Sequence, residues 1–223
     1  MNKLILGSVI HATDPCYSRD TWCAVWNIKV KPGEWNYKVQ YSKDEWGGGE
    51  GVKSLSIFHD SVKPSHSGFK LVEAEEIGVD SGQAGFFCDS IYPKGKKTGD
   101  YRDKESFYGQ CGEATLGKGY DYQNNLHSTR SNIKSEELLL KNVLKALEGK
   151  GGDSCTDYLQ SNIKARKANL EKLEANPIPY LQYGLVAENR GIVSSSGYGD
   201  GSYSLYKKEN VDGEIIALEI KYI

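Results

Sequence analysis

The residues that could do chemistry in this chain fall in three short, turn-forming runs. The run Ser194-Ser195-Ser196-Gly197-Tyr198-Gly199-Asp200-Gly201-Ser202-Tyr203 joins three glycines, one carboxylate and two phenols in a sharp reversal. Glycines permit positive φ or close approach of a second backbone, and Asp200 can accept from exposed amides. Successive glycine amides can also cradle an anion, but a phosphate loop needs Lys then Ser or Thr and a following helix, and the run has neither.

The second run, Asp14-Pro15-Cys16-Tyr17, offers a thiol. Cys16 as a nucleophile requires a base to generate thiolate, with His11, His59 and His66 as the choices. The plainer reading, and the favoured one, is a structural cysteine beside a turn. In the third run, Asp80-Ser81-Gly82-Gln83, the carboxylate can fold onto amides two residues on, and the same groups can hold a polar ligand if the turn faces a cleft. The candidate ligand-binding set is therefore Asp14, Cys16, Tyr17, Asp80, Ser81, Gln83, Asp200, Ser202 and Tyr203. Asp14, Asp80, Asp89 and Asp200 suit a hard cation if they converge. Because sequence shows no convergence, and the four histidines lack zinc spacing with any cysteine pair, no metal and no cofactor is expected.

The frame that must position these runs is ordinary for a globular chain: 223 residues, 38% hydrophobic and 26% charged. With 28 Lys plus Arg against 30 Asp plus Glu the net charge is −2, which gives no global attraction to nucleic acid or an anionic membrane. The basic runs Lys94–Lys97 and Lys164–Lys167 read as solvated faces. No segment approaches the roughly 18 apolar residues of a membrane span, and the start MNKLILGSVIHATDP reads as a first strand rather than a signal peptide. Five cysteines at irregular spacing point to reduced thiols in a cytoplasm. Fifteen Tyr and 4 Trp against 5 Phe suit half-buried sheet faces and recognition surfaces.

Period-two alternation places Ala24, Trp26, Ile28 and Val30 on one face and, after Pro32-Gly33, Trp35, Tyr37, Val39 and Tyr41 on another, which predicts a hairpin. A glycine-rich loop at 43–51 precedes a strand at 52–59, and a further pair of strands is expected at 76–80 and 84–89. Residues 92–132 lack periodicity and read as a long loop hiding short strands or a flap. Ser135 caps a helix carrying Leu140, Val143, Leu144 and Leu147. A second helix over 156–175 carries Leu159, Ile163, Leu170 and Leu173 on a stripe where Arg166 interrupts. Strands return at 180–186, 191–195, 203–208 and 216–222. The fold class is α+β: a β-rich, antiparallel two-layer sheet domain over 1–131 and 177–223, with an antiparallel helical hairpin, 132–176, inserted.

Four separated segments, DPCYSRDTWC at 14–23, VDSGQAGFF at 79–87, SFYGQCGEAT at 106–115 and VSSSGYGDGSY at 193–203, together resemble an uncharacterised bacterial and phage family, the 4241-type domain of unknown function. The resemblance implies a compact intracellular domain, found at times in immunity or conflict settings, and carries no catalytic residues. It also implies that relatives are shorter between Thr115 and Tyr180, which makes the hairpin an embellishment suited to partner binding. Leu159, Ile163, Arg166, Lys167 and Leu170 are the candidate partner-binding residues.

With no recognised catalytic signature, the expectation is a non-enzymatic interaction protein with a protein partner, such as a phage-encoded inhibitor of a bacterial defence or an immunity-type protein. Two alternatives stay open. One is a small-molecule binder or hydrolase built from the three turns, and the other is a structural or virion-associated protein forming a homo-oligomer.

Overall fold

The computed structural model of the chain describes residues 3–43, 50–62, 70–95, 97–147 and 154–222. They divide into two compact units, Met1–Thr115 with Leu181–Ile223, and Leu116–Tyr180. The expected loop around Gly47-Gly48-Gly49, and His66, lie outside the described residues.

The first unit holds two antiparallel sheets. Sheet A has the order β1 (Leu4–Leu6), β4 (Gly33–Lys43), β5 (Glu50–His59), β11 (Ile215–Lys221), β10 (Gly201–Glu209), β6 (Lys70–Val79). Sheet B has the order β3 (Val25–Lys29), β2 (Val9–Thr13), β7 (Gln83–Cys88), β9 (Gly191–Ser195), β8 (Tyr183–Val186). The α+β, two-layer reading of the sequence therefore holds. Alternation sends Leu4, Leu6, Trp35, Leu55, Ile57, Ile77, Leu218 and Ile220 from sheet A, and Ile10, Ala12, Phe86 and Ile192 from sheet B, into one shared core. The opposite face of sheet B is covered by α1 (Phe107–Thr115), where Phe87, Tyr92, Cys111 and Val193 are buried with Phe107 and Ala114 against them.

Several expected elements are rearranged. The first strand is two strands in different sheets, β1 and β2, broken at Gly7-Ser8. The hairpin expected around Pro32-Gly33 does not form: β3 pairs with β2, and β4 pairs with β1 and β5, so this turn carries the chain between layers. Likewise β6 and β7 are not partners, since β6 pairs with β10, and β7 with β2 and β9. Alternation reports which face of a strand is buried, and both layers of a sandwich bury a face against the same core. Pairing is thus not encoded in the period.

The long loop expected over 92–132 is largely helical. Ser106 N-caps α1 by accepting from the Gly109 amide at 3.0 Å. Gly109 and Gly112, which lower helix propensity, sit where a Cβ would meet the Asp103 carbonyl and the Tyr101 ring.

In the second unit, α2 runs over Gly117–Ala146, so Ser135 lies in its interior, bonding back to the Ser131 carbonyl, rather than at its start. It packs along α3 (Ser154–Ala175) as an antiparallel pair through buried Tyr122, Leu126 and Ile133 on one helix and Leu159 and Ile163 on the other. Tyr122 donates to the Leu173 carbonyl at 3.0 Å, and Arg130 pairs with Glu174 at 2.7 Å. Among the described residues no helix is long and apolar enough to cross a membrane.

Sheet B leaves no room at its centre. A Cβ on Gly85 would stand 2.2 Å from the Ile192 carbonyl oxygen and 3.0 Å from the Val193 Cα, whereas one on Gly95 would meet nothing within 4 Å. Gly85→Ala is therefore expected to lower the unfolding free energy by about 2 kcal/mol or more, and Gly95→Ala to stay within about 0.5 kcal/mol of the parent. Urea denaturation of the two variants checks this.

Candidate functional site

The three turn runs converge. Sheet pairing brings them together: β6 lies beside β10 with Val79 opposite Gly201, while β7 lies beside β9 with Gln83 opposite Ser195. The turn 80–82 and the turn 196–200 each carry the chain from one sheet to the other, and they run side by side. The Ser196 amide donates to the Gly82 carbonyl at 3.0 Å, and a Cβ on Gly82 would lie 3.9 Å from the Gly199 Cα. Gly82, Gly197 and Gly199 take positive φ of 69°, 66° and 95°, the left-handed region that favours glycine.

Asp14 locks this arrangement. Its side chain is fully buried, and each carboxylate oxygen accepts two bonds. Oδ1 takes the Cys16 amide and the Ser81 hydroxyl, both at 2.7 Å, and Oδ2 takes the amides of Asp80 and Ser81, both at 2.8 Å. A buried charge is tolerable only when donors replace water, and four donors use the lone-pair capacity of a carboxylate. The backbone of the same run is bound too: the Tyr92 hydroxyl donates to the Tyr17 carbonyl at 2.7 Å, and the Thr98 hydroxyl to the Cys16 carbonyl at 3.1 Å.

The remaining candidates are placed as follows. Burial, with the Asp14 charge beside it, pushes the Cys16 thiol far above its ordinary range, the opposite of what a nucleophilic thiolate needs. Burial and bonds to Cys23 and Asp80 likewise raise the Tyr17 phenol. Tyr203 is buried and donates to the Gly199 carbonyl at 2.8 Å, closing its own turn, while Asp200 and Ser202 are exposed. Gln83 is 5% exposed, and its Oε1 has no hydrogen-bond partner among the described residues. Asp14, Asp80, Asp89 and Asp200 do not pool their carboxylates, because Asp14 faces backbone amides and Asp89 faces His11 and Arg19. Among the described residues no three His, Cys, Asp or Glu side chains are grouped as a metal site requires.

A second ionic group, only partly buried and centred on Arg19, which the sequence reading did not single out, fixes the loop after Tyr17. Arg19 pairs with Asp89 and donates to the carbonyls of Pro93 at 3.0 Å and of Asp89 and Tyr92 at 2.8 Å. Asp89 also takes His11 Nε2 at 3.2 Å, while His11 Nδ1 accepts the Asn27 amide at 3.1 Å. That places the ring proton on Nε2 and leaves the imidazole neutral. Burial, and then the Arg19 charge, lower the His11 pKa below its usual value. The sequence signal for Arg19 was its place inside DPCYSRDTWC; nothing marked its partners, which lie about 70 residues away.

On the helical pair, the residues nominated for a partner divide between buried or half-buried apolar positions and part-exposed or exposed ion pairs. Leu159 and Ile163 are buried, Leu170 is half-buried, and Arg166 and Lys167 pair with Glu136 and Glu137 at 3.0 and 2.7 Å. In the first unit a groove of about 300 Å3 opens along β3, lined by Val25, Asn27, Lys29, Glu75, Lys207 and Glu209 among others. None of the nominated turn residues lines it.

A comparison with protein-family models matches residues 94–220 to the family described as a protein of unknown function (DUF4241). The matched stretch contains the third and fourth segments of the sequence resemblance and begins after the first two. No curated protein and no solved structure matches the chain.

Two outcomes follow from this geometry. Asp14→Asn keeps one acceptor but turns an NH2 toward amide donors, so it should cost about 3 kcal/mol of stability by urea unfolding; an effect under about 0.5 kcal/mol would remove Asp14 from its central place. For His11, the folded-state pKa lies below the unfolded value of about 6.5. Its stabilisation is therefore complete above that pH and is lost as pH falls through the folded-state pKa. Urea midpoints should decline as pH is lowered from 6.5, and His11→Gln should flatten that decline; an unchanged slope would assign the acid sensitivity to other groups.

Proposed function

Since the chain belongs to the family of unknown function DUF4241, which brings no activity with it, we propose a role from the site itself: a non-enzymatic protein-interaction module that acts by occluding its partner. The supporting observation is that Asp14, the most reactive-looking group of the convergent turns, spends all four of its bonds on the protein's own donors. Cys16, raised in pKa beside it, supplies no ready nucleophile. Polar groups that satisfy one another build a rigid surface and leave little with which to activate a substrate. The setting we assign is the cytoplasm of a bacterial or phage-infected cell, as an inhibitor of a defence system or an immunity-type protein, where occlusion is the whole activity.

One observation favours a second reading, a small-molecule binder. The buried Gln83 amide oxygen, next to the turn 80–82, has no donor among the described residues, and a ligand N–H or O–H would supply one.

Native mass spectrometry of the full chain, purified gently from its host, separates the two. A stoichiometric protein partner with no retained metabolite is expected. A stoichiometric small molecule whose retention is lost in Gln83→Leu would contradict the first reading and establish the second.

A further inference from the structure

Trp22 is 93% exposed, yet the chain on both sides of it is fixed. Thr21 donates its amide to the Ser18 carbonyl at 3.0 Å and accepts the Trp26 indole N–H at 2.8 Å, while the Cys23 carbonyl accepts the Gly78 amide at 2.6 Å. Arg19 and Tyr92 hold the start of the same loop. Trp26 and Trp35 give their indole N–H groups to carbonyls of their own chain, and Trp35 is fully buried. Trp22 instead presents nearly its whole ring to solvent from a held backbone. A large apolar side chain on a rigid mount pays little ordering entropy on binding, and tryptophan is the residue type most enriched at the energetic centres of interfaces.

The surroundings specify the partner's charge. Cys23, the neighbour of Trp22, packs with the Tyr17 hydroxyl against Gly78, where a Cβ would stand 3.0 Å from the thiol sulfur and 3.4 Å from the hydroxyl, and Asp80 follows two residues on. Past Asp80, the pairing of Val79 with Gly201 brings in Asp200 and the 64%-exposed Tyr198. Within residues 14–24, 78–83 and 194–203 the outward carboxylates are Asp20, Asp80 and Asp200. The single basic side chain in these stretches, Arg19, is committed to Asp89. Such a rim repels phosphate and attracts ammonium and guanidinium groups.

We propose that Trp22 is the anchor of a docking surface on the three convergent turns, and that the surface takes a protein partner with an apolar pocket rimmed by Lys and Arg. The assignment rests on the interaction reading above and deepens it by naming the surface and the chemistry of the partner. It also moves the contact from the helical pair, where Leu159 and Ile163 are buried and Arg166 and Lys167 pair with α2, to the turns of the β-rich unit. The carboxylates steer and orient the encounter, and the indole supplies the buried contact.

The test uses the full chain with the photo-crosslinker p-benzoylphenylalanine at position 22 or, for comparison, at the exposed Tyr158 of α3. Both are irradiated in host lysate, and crosslinked residues are mapped by mass spectrometry. Crosslinks from position 22 alone, to an apolar pocket flanked by Lys and Arg, are expected. With that partner made recombinantly, Trp22→Ala should weaken binding about thirtyfold or more without lowering the unfolding midpoint. Asp80→Asn with Asp200→Asn should weaken it about threefold and flatten its loss between about 0.05 M and 0.5 M salt. Crosslinks from position 158 alone, with Trp22→Ala binding unchanged, would overturn the surface while leaving an interaction protein. Crosslinks from position 22 to a second copy of the chain would overturn the choice of partner. No crosslink from either position, and no stoichiometric partner, would overturn the surface and the interaction reading together.

Discussion

A carboxylate without water needs donors, and Asp14 finds three of its four in a segment more than 60 residues further along the chain. An unpaired buried charge costs several kcal/mol, so the fold is stable only while the turn 80–82 stays against the loop that follows β2. Because that turn is the corner between β6 and β7, the same contact sets where the chain leaves sheet A and enters sheet B. The neighbouring corner between β9 and β10 must then follow, since β6 pairs with β10 and β7 with β9. One side chain thereby ties the register of both layers at this end of the sandwich. Arg19 does the same for the other flank of the loop, binding residues 89–93 through Asp89 and three carbonyls. Between these two ionic groups, residues 14–24 become a fixed platform rather than a free loop.

Strand positions and buried faces were legible in the sequence because they follow from local alternation. Trp35, Tyr37 and Val39 do share a face, and β9 occupies the expected 191–195. What alternation cannot carry is pairing. Pro32-Gly33 has the composition of a hairpin turn, but the sandwich places a layer change there, and the same is true at Asp80-Ser81-Gly82. Of the helices, α3 and the second half of α2 were legible from their apolar stripes, whereas α1 and the first half of α2 were missed for another reason. Tyr122 and Thr129, polar in composition, serve as inward positions of α2, and the glycines of α1 answer close approach rather than flexibility. Both features lower the apparent amphipathicity on which a sequence reading depends.

The candidate site was read as three separate turns, and the structure joins them by strand pairing that no local signal announces. The roles of the individual residues were not visible in the sequence. Asp14, a candidate ligand-binding residue, is a structural acceptor; Cys16, favoured as a structural cysteine beside a turn over a nucleophile, is the part-buried, protonated neighbour of that acceptor; and Tyr203 closes a turn. Trp22 went unremarked because exposure is a property of the assembled surface. Its neighbours Thr21 and Cys23 are tied down by Ser18 within the loop and by groups from β3 and β6.

Backbone hydrogen exchange at Cys16, Asp80 and Ser81 probes the Asp14 contact most directly. If the carboxylate fixes the corner, these three amides exchange as slowly as the core amides of β7 and β9, through opening of the whole unit. Exchange as fast as that of the exposed turn around Asp200 would show that the carboxylate does not hold the corner closed.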